Sequence, residues 1–283
     1  MNQHVLTALP DQGAGLRPQI ELVAEKRGGR TVLTSQYVTY PFHMTRPFQL
    51  DAARADVSTL YMQSSSGGLY AGEDLRLRIA ARAGANLHLT TQASTIVQGG
   101  ERPRASTRYD LTVEDGAFLA FTPDPQILFP GSFADTEIAL SLADGACAVI
   151  SDGFLLHDPK RLCRAPEAYR SVADVSIGGR RVMVDRQFVE GRRLNEPAGP
   201  LHGHAIAGTV LLLGFGDRLA AAELAEAVAG CGARLAISAL PRGCGLGLRI
   251  LAKDGPAYAR ALDAAFGAAF LARFGIAPAP RRK

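Results

Sequence analysis

Two groups of side chains in this sequence draw attention for their chemistry: His202 and His204, one residue apart, the only paired imidazoles, and Asp152 and Asp185, set among apolar residues. Alternate residues on an extended segment face the same way, so both imidazoles of His202-Gly203-His204 could reach one ion. Two ligands make a weak site, suited to passing a metal on. The competing reading is a pair of solvent-facing loop histidines. His43, His88 and His157 stand alone and read as structural. Asp152 and Asp185 end or interrupt apolar strands. Buried, such carboxylates need partners or ions; exposed, they carry no message.

The stretch Gly67-Gly68-Leu69-Tyr70-Ala71-Gly72-Glu73 is glycine-rich. It lacks the Gly-Lys-Ser/Thr of a phosphate loop and no helix follows it, so it reads as a conformationally special turn. No Gly-x-Ser-x-Gly elbow, His-Glu-x-x-His helix or dinucleotide-binding glycine pattern occurs. No constellation of the kind an active site needs is visible, and an enzyme is not expected.

The elements that must position these residues are strands. Leu75, Leu77 and Ile79 alternate with Asp74, Arg76 and Arg78, the period of a half-buried strand. A Gly-Ala turn at 84–85 follows, then a second alternating run through Leu87 and Leu89. The pattern recurs at Gly116-Ala117 and Gly145-Ala146, first 32 and then 29 residues on. A near-fixed period of this size marks stacked units that cannot bury their apolar faces alone. The expected fold is mainly β, a solenoid-like stack of hairpins with its turns on one rim.

A first hairpin is expected around Gly28-Gly29 and another across Gly178-Gly179. Asp152 to Arg170 reads as irregular or a short helix, and Glu190 to Pro200 as a loop. Ala205 to Gly214 is continuous enough in apolar residues to be a strand buried on both faces. Two helices are expected in the C-terminal part, over Asp217–Ala229 with Asp217 as N-cap, and over Pro256–Phe274 ended by Gly275. The organisation implied is a loose tail over 1–18, one unit over 19–276 and a basic tail over 277–283.

The 283 residues are 47% hydrophobic and 20% charged, which is ordinary for a globular protein. No apolar run reaches the ~20 residues that span a bilayer, and the N-terminus shows no secretory pattern. Cys147, Cys163, Cys231 and Cys244 are scattered, with no Cys-x-x-Cys. A reduced, cytoplasmic setting is expected. The net charge of +4 is dispersed, without interleaved aromatics, so neither nucleic acid nor a membrane is an expected partner.

Several of these segments, taken in order, resemble the urease accessory protein family UreD, also called UreH. The carriers are Gly67-Gly68 to Gly72-Glu73 and Leu89-Thr90-Thr91-Gln92-Ala93-Ser94-Thr95. Gly29-Arg30-Thr31-Val32-Leu33, Arg46-Pro47-Phe48, Pro123 with Ile127-Leu128-Phe129-Pro130-Gly131, and Val182 to Arg186 add to them. The likeness extends over roughly residues 20–275. The chain departs from the family pattern at Glu73, where Asp is usual, at Ile96-Val97-Gln98-Gly99, and at Leu156-His157-Asp158-Pro159-Lys160.

The resemblance implies a non-catalytic urease maturation factor that binds apo-urease and the accessory proteins UreF and UreG. It implies assistance in nickel delivery, with Ni2+ in transit and no tightly bound cofactor. An internal passage is a suggested nickel route, and on that reading Asp152 and Asp185 would line it. The alternative is a stacked-β protein-binding module with no metal role.

Overall fold

The computed structural model describes residues 17–100, 104–194, 196 and 198–281. The tail expected over 1–18 lies outside them apart from Arg17 and Pro18, as do Arg282 and Lys283.

The chain opens with a hairpin, β1 (Ile20–Arg27) and β2 (Arg30–Val38), turned at Gly28 and Gly29. Short β3 (Phe42–Met44) and β4 (Val57–Ser64) follow. The middle of the chain then winds in coils through β5 (Asp74–Ala81), β6 (Asn86–Thr91), β7 (Ile96–Val97), β8 (Ala105–Val113), β9 (Phe118–Phe121), β10 (Gln126–Leu128), β11 (Phe133–Leu142) and β12 (Cys147–Leu156). A second hairpin, β13 (Ala168–Ile177) and β14 (Arg180–Glu190), precedes the short α1 (Gly191–Leu194). The C-terminal part is β15 (Ile206–Leu213), α2 (Ala221–Ala227), β16 (Arg234–Ala239), β17 (Gly245–Ala252) and α3 (Gly255–Phe274).

The strands form two sheets, ordered β14-β13-β11-β8-β5-β1-β2 and β16-β17-β15-β12-β9-β6-β4-β3. The expected mainly β, solenoid-like stack is the architecture found. One detail of the expectation needs correction: the repeats are not hairpins. β5 and β6 lie in different sheets, as do β8 and β9, and β11 and β12. β5, β8 and β11 pair with one another in parallel, and so do β6, β9 and β12. Gly84, Gly116 and Gly145, at φ 66°, 62° and 81°, turn the chain through the thickness of the sandwich. This arch lets the apolar faces of a repeat meet each other, while each backbone bonds to the matching strand of the next coil. The corners stack on one rim, joined by Gly84 N–H to Asp115 O, Phe118 N–H to Ala85 O and Cys147 N–H to Ala117 O at 2.9, 2.9 and 3.0 Å.

The second sheet is buried on both faces. In β12, Ala148 and Ile150 face the first sheet, whereas Cys147 and Val149 face the helices. β15 alternates likewise, Leu211 and Leu213 inward and Val210 and Leu212 toward α3. The apolar face of α3 (Tyr258, Leu262, Phe266, Phe270) is consumed by this packing. Each such side chain contributes roughly 1.5–3 kcal/mol.

Three element boundaries differ from the sequence reading. β12 runs on to Leu156 and β13 starts at Ala168, so Asp152 sits inside a strand and not in an irregular segment. α1 occupies part of the expected 190–200 loop. The first C-terminal helix is shorter than expected: a tight turn spans Gly216–Arg218, Leu219 is extended and buried, and α2 begins only after Ala220. Its Ala220 N–H is held by Glu223 Oε2 at 2.9 Å, so Asp217 is not the cap. α3 is capped by Asp254 and stopped by Gly275 at φ 75°.

The far end of the chain is pinned near its beginning. Arg281 pairs with Asp51 at 2.7 Å, with side chains only 7% and 2% exposed. Its guanidinium lies 5.0 Å from the Phe266 ring centre, and Ala279 N–H reaches Asp51 Oδ1 at 2.6 Å. Removing one partner strands a buried charge. Arg281→Ala should therefore cost about 3–5 kcal/mol in urea unfolding. The pair Asp51→Asn with Arg281→Met should cost clearly less than the two single changes summed.

Candidate functional site

Parallel stacking turns one register position of every coil into a row across the molecule. In the second sheet, Leu60, Leu89, Phe121, Ile150 and Leu211 are paired in sequence and face the inter-sheet core. Two residues further along, the same inward face carries Met62, Thr91, Pro123, Asp152, Thr209 and Arg249. The first sheet presents Leu75, Thr107, Thr136, Ser171 and Gln187, also paired in order. Two polar rows thus run across the strands through an otherwise apolar interior.

Asp152 is the charged centre of this band. Tyr169 donates its hydroxyl to Asp152 Oδ2 at 2.6 Å, Ser171 Oγ donates to the same oxygen, and Gly153 N–H reaches Oδ1 at 2.9 Å. Protein surrounds the carboxyl, yet the residue is only half-buried, because it borders internal space. Burial pushes its pKa above the usual carboxylate range, and nearby Asp185 adds to this; the hydrogen bonds from Ser171, Tyr169 and Gly153 act in the opposite direction. Burial, with Asp152 next to it, also holds the Tyr169 phenol well above its ordinary value, so that it stays a donor.

The internal space measures about 30 Å³ and is bordered by Thr91, Thr107, Gln126, Thr136 and Asp152. At 10–15 Å³ for each water, it has room for roughly two. The hydroxyls of Thr107 and Thr136 and the amide oxygen of Gln126 are buried with no hydrogen-bond partner in the protein. Buried polar atoms are rarely left so, and the partner that fits this space is water or an ion. The cavity leads to a surface pocket of about 710 Å³, and Ser64, Ser66, Gly68 and Thr91 line both.

The glycine turn forms the wall of that mouth. Gly68 sits at φ 129°, and a Cβ there would come within 2.3 Å of Ile96 O. Only glycine lets Leu69 N–H reach Ile96 O at 2.7 Å and so dock the turn on β7. Gly72 takes φ 87°, and Glu73 closes the turn by accepting from Tyr70 N–H at 2.8 Å. The longer Glu thus serves as the turn-ending acceptor where the family has Asp. Exposed Gly67 would meet only the Tyr70 hydroxyl. Thr90 donates to Thr122 O at 2.6 Å, Thr91 accepts from Asp124 N–H at 2.9 Å, and Gln92 accepts from Gln63. These three tie neighbouring coils together beside the mouth. In the divergent segment after β12, Asp158 accepts from Lys160, Leu162 and Arg164 N–H groups and organises its own loop. The Arg164 guanidinium, foremost, holds the Asp158 carboxyl well below its usual range.

Asp185 lies at the other end of the band, and it is partnered. Arg249 reaches it at 2.7 Å and Gln187 at 3.2 Å. Asp185 thus lies close to Asp152, at the edge of the same polar band. His202 and His204 do not share the geometry assumed for them: the segment is a turn, with His202 at φ 46° and Gly203 at φ 74°. The alternation of an extended strand does not apply there, and His204 Nδ1 bonds Leu201 O at 2.8 Å. Among the described residues, no group of three or more His, Cys, Asp and Glu side chains is arranged to hold a metal. Cys147, Cys231 and Cys244 are buried and Cys163 is exposed. Among the described residues, no helix is long and apolar enough to cross a membrane.

Sequence reasoning missed Thr107, Thr136, Tyr169, Ser171, Gln187, Thr209 and Arg249. One signal was present: Thr and Ser stand where alternation calls for an inward apolar residue. Chemically the band offers hydroxyl, amide and carboxyl oxygens, which suit a hydrated divalent ion and hold it weakly.

Two measurements check this geometry. Gly68→Ala should cost about 3 kcal/mol through strain and backbone overlap, read by thermal or urea unfolding. For Asp152, the folded-state pKa lies above the unfolded one, so the folded protein keeps the proton between the two values. Stability then falls as pH rises through that window. Asp152→Asn should be more stable than the parent at pH 7, with the difference shrinking toward the ordinary carboxylate range, in urea titrations from pH 4 to 8.

Comparison with known proteins gives the family. The model of the family described as UreD urease accessory protein matches residues 16–283. Urease accessory protein UreD 1 of Methylorubrum extorquens (strain PA1) is 42% identical over 281 residues, covering 97% of this chain and 94% of that protein. Urease accessory protein UreD 3 of Bradyrhizobium sp. (strain ORS 278) is 41% identical, covering 95% and 96%. Urease accessory protein UreD 1 of Pseudomonas syringae pv. syringae (strain B728a) is 31% identical, covering 90% and 91%. A match along nearly the whole chain, carried by relatives of the same length, places it: the chain belongs to the UreD urease accessory protein family.

Proposed function

We propose that this protein is a non-catalytic subunit of urease maturation in the cytoplasm. It binds apo-urease together with UreF and UreG, and it assists delivery of Ni2+ to the urease active site. Family membership supports the maturation role. The observation that supports the nickel role is the internal space behind the Gly68 mouth, bordered by Asp152 and by unpartnered Thr107, Gln126 and Thr136 oxygens, with Asp185 close behind Asp152. A carboxyl whose proton is held more tightly than usual binds a cation more weakly, because the two compete for the same oxygens. Weak oxygen donors release as well as capture, which transit requires.

The stacked coils supply the rigid body that a scaffold needs, with Tyr40, Phe48, Tyr70, Leu162, Phe188 and Leu271 as its large exposed apolar side chains. Apolar groups at the surface are what protein partners cover.

The test is nickel per active site in urease purified from cells that express the urease structural and accessory genes. Asp152→Ala with Asp185→Ala should lower that content several-fold while the variant still co-purifies with UreF. Unchanged loading removes these residues from the route. Failure of the parent chain to co-purify with UreF would remove the maturation role itself and leave a β module for some other protein.

A further inference from the structure

The polar band ends on a cation that belongs to the protein. Arg249 of β17 donates through Nη2 to Asp185 Oδ1 at 2.7 Å and through Nη1 to Thr209 Oγ1. Gln187 Nε2 donates to Asp185 Oδ2 and to the same Thr209 oxygen, at 3.2 and 3.1 Å. The four residues come from β14 in one sheet and from β15 and β17 in the other. They close the gap between the sheets at this end.

The two ends of the band therefore differ in kind. At the Gly68 mouth the hydroxyls of Ser64, Ser66 and Thr91 stand beside Phe42 and Met62, with no carboxylate, lysine or arginine among the lining groups, and face an open pocket. At the Arg249 end, both Asp185 oxygens and the Thr209 oxygen already accept hydrogen bonds, and a fixed positive charge stands among them. Asp185 there has no counter-charge to offer an incoming ion. Arg249 is about half exposed, at 47%, against 19% for Asp185, so it seals the rim from outside.

We propose that Arg249 is the resident counter-ion of Asp185: it occupies the place a divalent cation would take, and so keeps the band from trapping one. This rests on the transit reading and assigns Arg249 a role in it, as the residue that sets how tightly the band binds. Like charges repel, less at a half-exposed rim than in a dry interior, and the guanidinium so lowers the affinity of the Asp152–Asp185 segment for Ni2+. With Arg249 removed, Asp185, Thr209 and the Gln187 amide oxygen become free oxygen donors beside Asp152.

The experiment is equilibrium dialysis of the purified full chain against NiCl2, with melting temperature as a fold control. Arg249→Gln should bind Ni2+ roughly tenfold more tightly than the parent or better. Arg249→Gln with Asp185→Asn should return to the parent affinity. Arg249→Lys, which keeps the charge, should resemble the parent. Asp185→Asn alone should weaken binding, since it leaves the Arg249 charge without its counter-charge beside Asp152; this conservative change keeps the test decisive if Arg249→Gln does not fold. The proposal is overturned if Arg249→Gln binds no more tightly, if its gain survives Asp185→Asn, or if Asp185→Asn alone binds as tightly as the parent or more so. These outcomes are independent of urease loading. Loss of loading in Asp152→Ala alone, combined with unchanged Ni2+ affinity in Arg249→Gln, would sink the counter-ion role and leave the transit reading standing.

Discussion

In-register parallel stacking is the constraint on which the rest of this molecule depends. Each coil hydrogen-bonds to the next through matched strands, so any residue choice at one position is laid beside its equivalents in the neighbouring coils. A row of leucines and isoleucines becomes a wall of core. A row of threonines becomes a polar line across the whole body. No loop or helix is needed to assemble it, because the backbone ladder fixes the spacing.

That constraint makes the polar band expensive and informative together. Buried hydroxyls and a buried carboxyl oppose folding unless they find partners. The surrounding core is large enough to carry them: the inter-sheet cluster runs from Ile20 to Cys244, and a second cluster seals the opposite face of the second sheet with α3. The Asp152 carboxyl keeps three hydrogen bonds and still titrates above its usual range. Asp185, in the same band, is matched by Arg249. One carboxylate is left to respond to its contents and the other is already answered. Such an asymmetry suits a conduit better than a storage site, since a storage site would converge its ligands on one point.

The ends of the chain obey a different logic. α3 packs with its aromatic face on the second sheet, and Arg281 carries the chain back to Asp51 beneath two phenylalanine rings. A fully enclosed ion pair adds little net stability but fixes one arrangement strictly, because either charge alone is intolerable there. The helical layer is thereby locked to the early part of the chain.

Local chemistry was legible from the sequence alone. Alternation gave the strands, glycine gave the corners at 84, 116 and 145, and the period between them gave the stack. The special character of Gly68 and Gly72 followed from glycine's access to positive φ. Alternation says which way a side chain faces but not what it meets. Hairpin and arch share the same pattern of strand, glycine and strand, so only tertiary pairing separated them. The same holds for function. Asp152 meets Tyr169 and Ser171, Asp185 meets Arg249 sixty-four positions later, and Asp51 meets Arg281 across almost the whole chain. Contacts so distant in sequence are set by how the coils and layers stack, and that decided which carboxylate lines an open interior and which is already paired.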